Sequence, residues 1–214
     1  MATGFPSGNF VILSLACSRV LDVKNSDSDD GTELILFPCK ERTLDETLRN
    51  PWNNSQVFFI DEFGCLASKG SGHLIDLEED RLVIRHRDPG DDDFPFPVFS
   101  YNPTTREITV EVELEPENGE EEDLRETFIL TSIPKRNPRV TFTSGSTAIV
   151  PPNGSFADQT TESSYRHYSQ GEEAEVDDSL EWIRRVKTVE NTEVNSEKER
   201  KKRTWAILPL ITEA

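Results

Sequence analysis

One pattern occurs twice in this chain, about 45 residues apart, and that repeat limits the possible folds more than any other feature. In the first copy, Arg19-Val20-Leu21-Asp22-Val23 leads through Leu34-Ile35-Leu36-Phe37 to Gln56-Val57-Phe58. In the second, Ser71-Gly72-His73-Leu74-Ile75-Asp76-Leu77 leads through Leu82-Val83-Ile84-Arg85 to Pro97-Val98-Phe99. Each copy places an aspartate inside an apolar strand, then a second strand, then an aromatic strand. Turn chemistry separates the strands, as in Asn25 to Gly31, where short polar side chains bond local backbone and a glycine accepts positive φ. Strands this short and this frequent predict an all-β barrel or sandwich.

The rest of the chain is less regular. Phe10 to Leu15 reads as a first strand, and residues 40–55 as a polar loop with one helical turn near Leu44 to Leu48. Glu107 to Val112 alternates, and Thr127 to Ile133 is a further strand. Glu113 to Glu126 is acidic and reads as a long solvated hairpin loop. Residues 144–179 are rich in Ser, Thr, Gly, Pro and acid, and are expected to form a disordered insertion. Leu180 to Val186 reads as a strand or short helix. The basic run Lys198 to Arg203 reads as a solvated loop rather than a nuclear import signal. It feeds a final strand, Trp205 to Leu210. A barrel has no open edge only if its last strand returns to its first, so this strand is expected to pair with Phe10 to Leu15.

Composition narrows the function. Lys plus Arg is 23 against 41 for Asp plus Glu, a formal net charge of −18. Such a surface repels nucleic-acid phosphates and anionic lipid. No stretch has the roughly 20 apolar residues of a membrane span. The N-terminus lacks the basic start of a secretory signal, and three irregularly spaced cysteines (Cys17, Cys39, Cys65) fit reduced thiols, so a cytoplasmic location is expected. His73, His86 and His167 are scattered, which argues against a metal site. Acids such as Asp91 to Asp93 and Glu120 to Asp123 are too common here to mark acid–base catalysis.

The repeat resembles that of the ricin-B lectin family. The matching residues are Val20-Leu21-Asp22-Val23, Gly31-Thr32-Glu33-Leu34-Ile35-Leu36-Phe37-Pro38 and Gln56-Val57-Phe58, with Phe37 and Phe58 where that family usually has Trp. The likeness is specific over about 9–101 and weaker over 102–143. The layout is also similar to signal-less trefoil proteins of mushroom-forming fungi. The resemblance implies a β-trefoil: one domain formed by 1–143 and 180–214, with repeats at about 9–60, 61–101 and 102–214, the third degenerate and carrying the 144–179 insertion.

It also implies a shallow sugar pocket in a repeat, where an aspartate accepts from sugar hydroxyls and an aromatic ring stacks on the C–H face. The first repeat keeps Asp22, Phe37 and Gln56, with Asn54 nearby, but Ile35 replaces the polar residue usual on its strand. The second keeps Asp76, with Ile84 and His86 near the aromatic place and Pro97 in place of Gln. The third keeps no such set. The expected function is glycan or glycoprotein binding, with no catalytic residues, cofactor or metal. The alternative is a protein-binding trefoil, such as a protease inhibitor or an accessory subunit, that has lost sugar binding.

Overall fold

A computed structural model of the chain describes residues 3–87, 96–113, 125–134, 183–192 and 196–212. The 144–179 insertion, most of the loops at 88–97 and 113–126, and Leu180 to Trp182 lie outside these residues.

Twelve strands follow one another: β1 (Phe10–Ser14), β2 (Arg19–Val23), β3 (Leu34–Phe37), β4 (Phe58–Ile60), β5 (Leu66–Ser68), β6 (Leu74–Glu78), β7 (Arg81–Arg85), β8 (Val98–Asn102), β9 (Glu107–Glu113), β10 (Arg125–Pro134), β11 (Arg184–Glu190) and β12 (Trp205–Pro209). Six of them close a barrel. β1 pairs with β4, β4 with β5 and β8 with β9, all antiparallel. An antiparallel bridge between Cys65 and Val98 joins β5 to β8. The Trp205 amide donates to the Arg106 carbonyl at 2.8 Å beside β9. β12 then pairs with β1 from Phe10↔Pro209 to Ser14↔Trp205, which is the return expected of the last strand.

The other six strands form the hairpins β2–β3, β6–β7 and β10–β11, which cap one end of the barrel. The hairpins meet each other in turn. Ile35 and Leu36 pair with Arg185 and Arg184, Glu33 bridges to Val83, and the Thr188 amide donates to the Asp80 carbonyl at 3.0 Å. Asp80 also pairs with Arg185 at 3.0 Å and Lys187 at 3.6 Å. Six barrel strands and three capping hairpins are a β-trefoil.

One apolar core fills the barrel, with Phe10, Phe58, Phe99, Leu21, Ile75 and Trp205 all fully buried. Alternation along the strands puts these side chains inward. The segment before β1 covers the barrel rim: the Phe5 ring stacks on Phe10 at 5.2 Å, and the Tyr101 amide donates to the Thr3 carbonyl at 2.7 Å. Gly4 permits this contact, because a Cβ there would stand 1.9 Å from the Tyr101 carbonyl oxygen.

Two local expectations change. The helical turn in the polar loop is two 3-10 turns, Glu46–Leu48 and Pro51–Gln56, each capped by a side chain (Asp45 and Asn50). The basic run is a short helix, α1 (Glu197–Lys202), and not a loop. The Ser196 hydroxyl accepts from the Glu199 amide at 3.1 Å, acids sit in the first turn and bases in the last, so cap and dipole both favour it.

The three thiols differ sharply. Cys39 is exposed, whereas Cys65 is buried. Burial pushes the Cys65 thiol above the usual range and the Asp61 carboxylate adds to this, with Arg87 opposing. A thiol-specific reagent is therefore expected to label Cys39 in the native protein and Cys65 only on unfolding. Equal native rates, read by peptide mass spectrometry, would contradict the packing described.

Candidate functional site

The first repeat gathers its polar side chains where β2, β3 and the 3-10 turn at 51–56 converge. Asp22 lies on β2 opposite Ile35 and is only 2% exposed. A buried carboxylate must be paired or hydrogen-bonded, and Asp22 is both. Gln56 Nε2 donates to Asp22 Oδ2 and to the Pro38 carbonyl, each at 3.0 Å, while Gln56 Oε1 accepts from the Lys40 amide at 2.9 Å. Gln56 thus ties β2, the end of β3 and the following loop together. The Lys40 ammonium lies 2.8 Å from Asp22 Oδ2 and 3.2 Å from Oδ1.

Lys40 does more than neutralise Asp22. Its ammonium also donates to Ser55 Oγ at 3.0 Å and Ser26 Oγ at 3.3 Å, and it lies 5.6 Å from the centroid of the half-buried Phe37 ring. The cation therefore stands between a carboxylate and an aromatic face. Its side chain is 25% exposed, so the head can reach solvent by rotation of the stem. Ser26 is presented by a left-handed backbone, with φ of 59° at Asn25 and 57° at Ser26.

The sequence-predicted residues fall as follows. Asp22 and Gln56 are in direct contact, and Phe37 faces the same ammonium. Asn54 is half-buried; its carbonyl accepts from the Val57 amide at 3.0 Å, and its neighbour Ser55 supplies the side-chain contact to the cluster. Asp76 belongs to a different site on the second hairpin. Its Oδ2 accepts from Arg85 Nε at 2.6 Å, and its Oδ1 from the Leu77 amide at 2.8 Å. Arg85 also bonds Glu78 at 2.6 Å, and these two carboxylates raise the Arg85 pKa, Asp76 the more strongly. Strand register corrects one correspondence. Asp22 opposes Ile35 and Asp76 opposes Val83, so Arg85, and neither Ile84 nor His86, stands where Phe37 stands in the first repeat.

Two residues of the region were missed in the sequence. Lys40 gave no signal, since its reach back to Asp22 depends on the turn after Pro38. Trp52 had one: Asn50-Pro51 is a helix-start signal, which places Trp52 in the first turn. Asn50 Oδ1 accepts from the Trp52 amide at 3.1 Å, and Glu41 braces the turn by accepting from the Asn50 amide and from Asn53 Nδ2. The indole itself is 85% exposed. It borders an open cleft of about 170 Å³ that also touches Ser26, Ser55, Ser68 and Ser71.

No protein-family profile matches the sequence, and no curated protein matches it. Solved structures do match in fold. The C-terminal domain of an earthworm lectin, solved as a mutant in complex with 6'-sialyllactose, is similar with a TM-score of 0.50 at 13% identity, covering 95% of this chain and 98% of that one. The mdaA-1 domain, solved in solution, gives a TM-score of 0.52 at 16% identity, covering 99% and 96%. At such identities the likeness is one of fold, the β-trefoil described above.

Proposed function

We propose that this protein is a cytoplasmic, lectin-like binding protein and not an enzyme, and that it takes carbohydrate in the first-repeat pocket. The observation that carries this reading is the Lys40 ammonium held between Asp22 and the Phe37 ring. The pocket already accommodates a hydrogen-bond donor against a buried carboxylate and an aromatic face, which is the chemistry a sugar offers. Asp22 accepts from ligand hydroxyls, Phe37 packs on the sugar face, Gln56 holds Asp22, and Lys40 swings outward as the ligand enters. Asp76, closed by Arg85, makes a poorer second pocket. The three free cysteines suit a reducing compartment.

The test is a glycan array with the purified protein beside Asp22→Ala. Wild type is expected to bind a restricted set of glycans, and the variant to lose them. A blank wild-type array at high protein concentration would sink the proposal.

The second reading, a protein-binding trefoil, has its own observation. Leu48 and Ile211 are both strongly exposed, on segments joined by the Asp45–Ile211 bridge. Specific capture of one partner that Leu48→Asp abolishes, together with a blank array, would favour it.

A further inference from the structure

The Trp52 cleft lies beside the Asp22 pocket but is a separate place. The hydroxyls of Ser26 and Ser55, 3.1 Å apart, stand between them. On one side they receive the Lys40 ammonium. On the other they line the cleft with Trp52, Asp27, Ser28, Ser68 and Ser71. The first repeat supplies one wall. The turn after β5, from the second repeat, supplies the other. Gly70 lets the walls approach closely, because a Cβ there would lie 3.0 Å from the Ser55 amide nitrogen.

Three features of the cleft point to a ligand. The Trp52 ring leaves a large apolar face in water, on a backbone whose amide is held by the Asn50 side chain. Ser68 is fully buried, and its hydroxyl has no hydrogen-bond partner. A buried hydroxyl without a partner is costly, and a ligand hydroxyl reaching it would remove that cost. Asp27 uses Oδ1 to accept from the Ser28 and Asp29 amides, and no protein donor among the described residues meets its Oδ2.

We propose that this cleft is a second carbohydrate site, taking one neutral sugar ring with its C–H face on Trp52. Hydroxyls on the ring bond Ser68, Ser71 and Asp27. The volume suits a single ring and little more. The Asp27 carboxylate lines the cleft and the chain carries a formal net charge of −18, so sialic and uronic acids are refused. This proposal rests on the carbohydrate reading above but on different residues.

The test is a titration of the full ¹⁵N-labelled chain with galactose, glucose, mannose, N-acetylglucosamine, N-acetylgalactosamine and N-acetylneuraminate. At least one neutral sugar is expected to shift the Trp52 indole N–H together with the Ser68, Gly70 and Ser71 amides, and N-acetylneuraminate to shift none. Trp52→Ala should weaken that sugar at least tenfold, Trp52→Phe less, and Ser68→Ala by several-fold. Because Trp52 is exposed, the spectrum of Trp52→Ala also reports that the fold is kept. Glycan binding lost in Asp22→Ala but unchanged in Trp52→Ala would overturn this site and leave the first-repeat pocket standing. Shifts confined to Asp22 and Phe37 would do the same. An unshifted spectrum with a blank array would overturn both.

Discussion

Trp205→Ala is expected to destabilise the protein by about 3–5 kcal/mol, the cost of removing a large aromatic side chain from a filled core. Against a total stability of roughly 5–15 kcal/mol, that is a large share. Trp205 is fully buried, its indole Nε1 donates to the Leu130 carbonyl at 3.0 Å, and its strand closes the barrel against β1. The substitution therefore leaves a cavity, removes a buried hydrogen bond from the base of the third hairpin and loosens the closing strand at once. A fall of roughly 10 °C in melting temperature, and a lower urea midpoint, should follow. Trp205→Phe keeps most of the apolar volume but leaves the Leu130 carbonyl without its donor, so a smaller loss of about 1–3 kcal/mol is expected. An unchanged midpoint for Trp205→Ala would mean that β12 does not close this barrel.

Lys40→Ala should have opposite effects on stability and binding. Without the ammonium, Asp22 keeps Gln56 Nε2 as a partner but loses its counter-charge. The free protein should be less stable by about 1–3 kcal/mol, measured by urea unfolding. Glycan affinity should rise about tenfold, equivalent to ~1.4 kcal/mol, because a ligand hydroxyl no longer competes with an internal donor for the carboxylate. Lys40→Met is the informative companion. It removes the donor but keeps the stem, so it should lose similar stability and also gain affinity through the same release of Asp22. Weaker glycan binding in Lys40→Ala, measured by calorimetry on the best array ligand, would mean that Lys40 holds the ligand rather than competing with it.

The difference between what could and could not be read in the sequence has a physical basis. The strands around Asp22 and Asp76 were legible because apolar side chains on a pleated strand must face a core, and the repeat shows that the arrangement is used twice. The pairing of Trp205 to Pro209 with β1 followed from the need to close an edge. Asp22, Phe37 and Gln56 were legible as a set only through the family resemblance; in the structure Gln56 bonds Asp22, and the Lys40 ammonium paired with Asp22 lies by the Phe37 ring. Lys40 was not, because its position comes from a loop whose path is set by Gln56 bonding its amide across a long chain separation. The aromatic place of the second repeat was read at Ile84 and His86 and is held by Arg85, because only strand register shows that Asp76 opposes Val83. The helix at Glu197 was legible in Ser196-x-x-Glu199 and was overlooked in favour of its charge.

The pairing of the first strand with the last has a consequence for how the chain is made. During synthesis β1 emerges early and β12 only after the other ten strands. Until then Phe10, Val11 and Ile12, buried in the finished barrel, have an edge with unsatisfied backbone groups and apolar side chains in reach of other chains. Folding must therefore wait for release of Trp205 to Pro209 from the ribosome. It should be slow for a protein of this size, since its decisive contacts join the most distant parts of the sequence. The strongly acidic surface would help here, keeping unfinished chains apart by charge while the barrel is still open.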